Sequence, residues 1–288
     1  MEPIVSVVII VRNVQKYMAN CLISILDQTF STFEVVVIDD LSSDNTQKII
    51  RKFDDKRIRY FRNEKWLGIS KSRNSGVAHA IGEYIFFTDG DCRVSKNWIE
   101  EGLKHLKNPN SVGVEGRIIY ISKDYEPTLS DHVMENRSGG NFMTGNIAYK
   151  KSIIATVGGF DERLTYFEDR DIAFRAMKYG KISFNPEMIV YHPKVFLTPK
   201  KYVETATRLK NRVYLFKKFG EKKFMLWRIF FPVNLVKIFF PPLIFLNVFS
   251  KRLQNSDDFK LLPFMYIYAI RQRLQLWKEC AKEKVFLI

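Results

Sequence analysis

Two carboxylates one residue apart, Asp89 and Asp91, follow the apolar run Glu83–Thr88. Hard divalent cations take oxygen ligands and often use one or two carboxylates together with substrate phosphates. Thr88-Asp89-Gly90-Asp91 could therefore hold Mg2+ or Mn2+ against a diphosphate, or could be a polar turn capping the next helix. A second acidic group, Glu168, Asp169 and Asp171, opens a stretch with Ile172, Phe174, Arg175 and Met177 at helical spacing. A carboxylate there could serve as general base toward a hydroxyl. The same acids also suit the first turn of a helix, where the macrodipole favours negative charge. Asp39 and Asp40 form a third acidic pair, in a run rich in turn and N-cap residues.

The elements that would position these residues follow from hydrophobic spacing. Ile4–Val11, Phe33–Ile38 and Glu83–Thr88 read as strands buried on both faces. Helical patterns over roughly Val14–Asp27, up to about Phe53, and Ile69–Ala80 separate them, with a short strand at Ile58–Phe61. Such βαβαβ alternation predicts an α/β fold, a mostly parallel central sheet flanked by helices. Ligands of such sheets sit beyond the carboxyl ends of the strands, which puts Asp39/Asp40 and Asp89/Asp91 along one crevice. From about residue 111 the alternation weakens. Val112–Ile121 and Asn141–Lys150 read as strands, Asp124–Gly140 as a loop-rich connection, Glu168–Tyr179 as a helix, and Lys181–Phe184 and Met188–Tyr191 as two more strands.

Taken in order, Ser6–Asn13, "VVVIDDLSSDNT", "GISKSRNSGVAHAIGEYIFFTDGD", "TGNIAYKKSIIATVGGFDERL" and "FEDRDIAFRAMKYG" resemble the family 2 glycosyltransferases over roughly residues 4–195. The resemblance implies a GT-A fold and inverting transfer from a nucleotide-sugar. It implies that Asp40 hydrogen-bonds the base while Asp39 shapes its turn. Arg73 would reach the ribose or diphosphate, and Asp89 the ribose or the metal's waters. Asp91 would ligate Mg2+ or Mn2+, and His192 would close over metal and diphosphate. Gly145 and Asn146 would line the sugar pocket. Asp169 would be the general base, with Glu168 orienting acceptor or donor sugar. Two departures stand out. Ile10-Val11-Arg12 replaces the family's usual small and aromatic residues before Asn13, so Arg12 either stacks near the base or points away. The QxxRW signature of processive relatives is absent, which predicts a single sugar per encounter.

Length and charge divide the chain. Of 46 Lys and Arg and 31 Asp and Glu, residues 200–288 hold 19 and 6, so most of the net charge of +15 belongs to the last third. This predicts a transferase domain over 1–199 and a basic, apolar, helical extension over 200–288, either a membrane anchor or an oligomer interface. Within it, Phe224–Phe249 is long enough to span, but Lys237 and three prolines favour an interfacial course flanked by basic residues. No signal peptide is expected from Met1-Glu2-Pro3, so the expected location is the cytoplasmic face of the membrane. Cys21, Cys92 and Cys280 form no CxxC pair and predict neither a thiolate zinc site nor a disulfide framework. A nucleotidyltransferase would be expected to carry an early glycine-rich phosphate loop, which Ile9–Asn13 lacks. A nucleic-acid binder is disfavoured because residues 1–199 are nearly neutral and carry no such motif.

Overall fold

The computed structural model describes residues 2–120, 135–193, 198–220, 225–226, 229–230, 238–239 and 256–285. They fall into two compact units, one ending at Pro193 and the other comprising the residues that follow.

The first unit is built on eight strands: β1 (Val5–Val11), β2 (Phe33–Asp39), β3 (Ile58–Arg62), β4 (Tyr84–Asp89), β5 (Arg93–Val94), β6 (Ser111–Tyr120), β7 (Ile147–Lys150) and β8 (Lys181–His192). They form one sheet in the order β3-β2-β1-β4-β7-β6-β8-β5. The β3-β2-β1-β4 half is parallel throughout. β7 then runs antiparallel to both β4 and β6, β8 runs parallel to β6, and β5 is antiparallel to β8. Two reversals across β7 return β6 and β8 to the direction of β4. The carboxyl ends of β1, β2, β4 and β8 therefore share one edge.

Six helices flank this sheet: α1 (Met18–Leu26), α2 (Thr46–Ile50), α3 (Ile69–His79), α4 (Trp98–Leu106), α5 (Lys151–Thr156) and α6 (Glu168–Ala176). Side chains alternate faces along a strand. Val7 and Ile9 of β1 pack with Leu22 and Ile25 of α1 and with Trp98 and Leu103 of α4. Val8 packs on the opposite face with Val36, Ile38 and Phe87, beside Ile154 of α5 and Ile172 of α6. α3 lies close to β1 because Gly76 carries no side chain; a Cβ there would stand 2.4 Å from Val8 Cγ1.

Sequence and structure differ where the pattern is short or interrupted. Lys181–Phe184 and Met188–Tyr191 are one strand, β8, because a bulge absorbs the Asn185-Pro186 break. Gly116 pairs with Asn185 and Arg117 with Ile189, so residues 186–188 have no partner in β6. Proline is tolerated at such a bulge. The strand read at Asn141–Lys150 is confined to Ile147–Lys150.

The second unit contains α7 (Pro199–Thr205), a 3₁₀ turn (Ala206–Lys210), α8 (Asn211–Phe219), the short antiparallel pair β9 (Met225–Leu226) and β10 (Ile229–Phe230), and α9 (Ser256–Lys282). Thr198 caps α7 by accepting from Lys201 N–H at 3.4 Å, and Pro199 takes the first helical position, where no backbone donor is needed. Val213 of α8 packs with Leu276 and Cys280 of α9. Among the described residues no helix is long and apolar enough to cross a membrane. The expected membrane-contact segment, residues 224–249, lies mostly outside the described residues.

Candidate active site

The shared carboxyl edge gathers most of the candidate residues. Asp40 follows β2 and is nearly closed to solvent. Its Oδ1 accepts from Asn63 Nδ2 and Leu67 N–H, both at 2.9 Å, and its Oδ2 accepts from Gly68 N–H at 2.9 Å. Asp39 accepts from Ser42 N–H at 2.6 Å and from Tyr60 Oη at 2.7 Å. The pair thus fixes the loop 63–68 and the turn 40–43. Tyr60 stays a phenol, its pKa raised by burial first and then by its bond to Asp39.

The loop held by Asp40 presents Trp66, 61% exposed, and the Arg12 guanidinium stacks over its ring at 5.3 Å. Arg12 and Trp66 therefore form an exposed cation–π pair beside the loop held by Asp40. Sequence reasoning raised the stacking of Arg12 but missed Trp66 and Asn63. The signal available was an aromatic in a glycine-ended loop before α3.

Asp89 ends β4, and Asp91 lies in the turn that follows. Their side chains are 31% and 26% exposed. Gly145 approaches Asp89 closely; a Cβ on it would stand 3.0 Å from Asp89 Oδ2. The neighbouring Asn146 is buried, and its amide is committed to the frame. It accepts from Trp98 Nε1 at 2.8 Å and donates to the carbonyls of Arg117 and Met188 at 2.8 and 2.7 Å.

Arg73 projects from α3 into the space between β4 and α6. It donates to Glu168 and lies 4.0 Å from Asp89 Oδ1. Asp169 is half-buried and accepts from Arg170 N–H at 2.8 Å. Burial in the surrounding protein, then the adjacent Glu168 charge, pushes its pKa up to about 7, while Arg73 pulls the other way. Phe167, just before α6, has φ of +64°, and Leu41, just after Asp40, has φ of +65°. Left-handed backbone at non-glycine residues is disfavoured and persists where surrounding contacts enforce it. Both sit beside candidate carboxylates.

His192 ends β8. Its Nδ1 lies 2.7 Å from the Pro193 carbonyl, and its Nε2 lies 3.9 Å from Asp91 Oδ2. A carbonyl only accepts, so Nδ1 carries the hydrogen. In the neutral ring this leaves the Nε2 lone pair free, the tautomer a metal ligand needs. The 3.9 Å gap is less than twice a metal–oxygen distance of about 2.1 Å, so one ion fits between the two atoms. The charge balance agrees. Burial and then the Asp91 charge raise the pKa of Asp89, and the nearby Arg73 only partly offsets them, as expected for two close carboxylates. The residues present thus suit a divalent ion at Asp91 and His192, with Asp89 behind them.

Residues 6–168 match the family described as Glycosyl transferase family 2. The chain belongs to this family. Among curated relatives it is 31% identical to glycosyltransferase GlyG of Streptococcus pneumoniae over 144 residues, 49% of this chain and 43% of GlyG. The match therefore spans less than half of that relative's length. It is 25% identical over 252 residues to the GalNAc(5)-diNAcBac-PP-undecaprenol beta-1,3-glucosyltransferase of Campylobacter jejuni, 77% of this chain and 79% of the other. In fold it is similar to the mannosyltransferase PcManGT from Pyrobaculum calidifontis, solved with GDP-Man and Mn2+, at a TM-score of 0.63 and 18% identity, covering 96% of this chain and 88% of that one. The fold of this family 2 chain is therefore GT-A-like.

Proposed function

We propose that this chain transfers a single sugar from a nucleotide-diphosphate sugar, UDP- or GDP-linked, to a hydroxyl or phosphate of a lipid-linked or saccharide acceptor, inverting the anomeric carbon. The observation that carries the reading is the Arg73 guanidinium joining Glu168 to the Asp89 side of the sheet edge. It draws α6, with its candidate base, toward the carboxylates that follow β4.

Each residue then has a task. The Arg12–Trp66 pair stacks the base, and the backbone turn held by Asp39 and Asp40 shapes its slot. Asp89, Asp91 and His192 face the diphosphate, with Asp91 and His192 holding Mg2+ or Mn2+. When bound, that ion supplies positive charge for the departing diphosphate. Asp169 takes the proton of the acceptor hydroxyl, and a pKa of about 7 suits a base working near neutrality. Glu168, neutralised by Arg73, orients the sugar. Gly145 leaves room beside Asp89. A single base opposite the leaving group inverts the centre.

Acceptors of the lipid-linked class are supported by the relative named for GalNAc(5)-diNAcBac-PP-undecaprenol. The basic balance of residues 200–288 supports action at the cytoplasmic membrane surface through residues 224–249, with a homo-oligomer contact as the alternative use of the same extension. Nucleic acid is not among the proposed partners. The test is incubation of the full chain with UDP- and GDP-sugars, with and without Mn2+. Release of nucleoside diphosphate that needs the ion supports the reading. Consumption of a nucleoside triphosphate instead would move it to a nucleotidyltransferase.

A further inference from the structure

Cys92 follows Asp91 directly and is 1% exposed. A turn between Asp89 and Cys92 is closed by Cys92 N–H donating to the Asp89 carbonyl at 3.0 Å. Cys92 Sγ lies 3.5 Å from Asp91 Oδ1. One ligand atom from each of Asp91, Cys92 and His192 lies within 4.8 Å of the other two. Three chemically different donors, oxygen, sulfur and imidazole nitrogen, thus lie close to one another. Among the described residues this is the one such group.

That donor set does not match a purely hard-ion site. Mg2+ prefers six oxygens, several of them water, and gains little from sulfur. Zn2+, Co2+ and Cd2+ accept thiolate and imidazole readily, and three protein donors plus one open position is a familiar zinc arrangement. A sulfur beside the two candidate ligands therefore biases which ion the site keeps. We propose that Cys92 is a third ligand at the Asp91–His192 site for thiophilic divalent cations, so that Zn2+ and Co2+ bind there more tightly than Mg2+ and displace it. Binding through sulfur releases the thiol proton to solvent as the metal–sulfur bond forms. The consequence is ion selection, with trace zinc competing against the ion that supports transfer.

The inference rests on the reading that Asp91 and His192 face one ion, and its test separates the two. Co2+ is titrated into the metal-free full chain and the near-ultraviolet thiolate-to-cobalt charge-transfer absorption is followed. The expected result is a saturable band at one ion per chain in the wild type and in Cys21→Ser, and its loss in Cys92→Ser. Zn2+ affinity, measured by calorimetry, should fall at least about tenfold in Cys92→Ser. Should Cys92→Ser not fold, the double variant Cys21→Ser/Cys280→Ser leaves Cys92 as the sole thiol and must keep the band. Saturable Co2+ binding without the band, in the wild type, overturns the role of Cys92 alone. No Co2+ binding at all overturns both it and the Asp91–His192 site.

Discussion

Arg73 and Glu168, 95 residues apart in the chain, share a buried ion pair in which the guanidinium donates to the carboxylate. Their side chains are 7% and 9% exposed. A pair this enclosed is costly to break from one side, because the remaining charge keeps no partner and little water. Arg73→Met should therefore destabilise the fold by about 3–5 kcal/mol, measured by denaturant unfolding. Adding Glu168→Leu should recover a large part of that loss while leaving transfer impaired. Equal stability in the single and double variants would show that the two side chains do not depend on one another.

Asp169 gives a prediction in pH. Its pKa is raised to about 7, chiefly by burial. A base must be ionised to accept a proton, so kcat/KM should rise as pH passes upward through about 7 and fall about tenfold per unit well below it. Since Arg73 lowers this pKa, its removal should move the acid limb to higher pH. The linked stability has the opposite slope. A carboxyl whose folded pKa is raised contributes most below its ordinary value of 3.8 and loses that contribution as pH climbs through about 7. A pH–rate profile flat from 5.5 to 8.5 would remove Asp169 from the role.

Asp169→Asn keeps the shape and removes the basicity. Turnover should drop by about 10²–10⁴, with donor affinity changed less than about threefold. Single-turnover kinetics and calorimetric donor binding check the two halves. Retained turnover would mean that another group takes the proton.

Asp91→Ala and His192→Ala should each weaken Mn2+-dependent donor binding by about tenfold or more, while binding without the ion changes little. Calorimetry of the nucleotide at several Mn2+ concentrations reads this directly. If donor affinity shows no dependence on the ion in the wild type, the site does not bind a metal with its donor.

Gly145→Ala tests the close approach to Asp89. The added methyl would stand 3.0 Å from Asp89 Oδ2, tighter than ordinary contact, so the carboxylate must turn away. The expected outcome is a donor KM raised by roughly tenfold with stability lowered by no more than about 1–3 kcal/mol. An unchanged KM would show that this carboxylate can shift without consequence for the donor.

How much of this was legible in the sequence depends on the kind of residue. β1, β2 and β4 could be read because a strand buried on both faces is a run of Val, Ile and Phe that little else resembles. Asp39, Asp40, Asp89 and Asp91 could be placed on one crevice because parallel topology puts all such strand ends on one side. β5 could not be read, since two residues carry no period. β8 looked like two strands because Asn185-Pro186 is a turn signal, and only its partner β6 reveals the bulge. Trp66 was overlooked for a related reason. A loop aromatic acquires meaning only when Arg12, more than fifty positions earlier, is brought over its ring. Cys92 was set aside by spacing rules that look for a second cysteine, whereas its neighbours in space are an aspartate and a histidine.

The strand order also sets a timetable for synthesis. β1 to β4, the parallel half of the sheet whose strand ends carry Asp39 and Asp89, are synthesised before the mixed half. His192, at the last residue of β8, is made about a hundred residues after Asp91. A nascent chain that has not reached the end of β8 lacks the imidazole that lies 3.9 Å from Asp91. On the reading that Asp91 and His192 face one ion, the two sides of that site come together only when the first unit is almost completely translated.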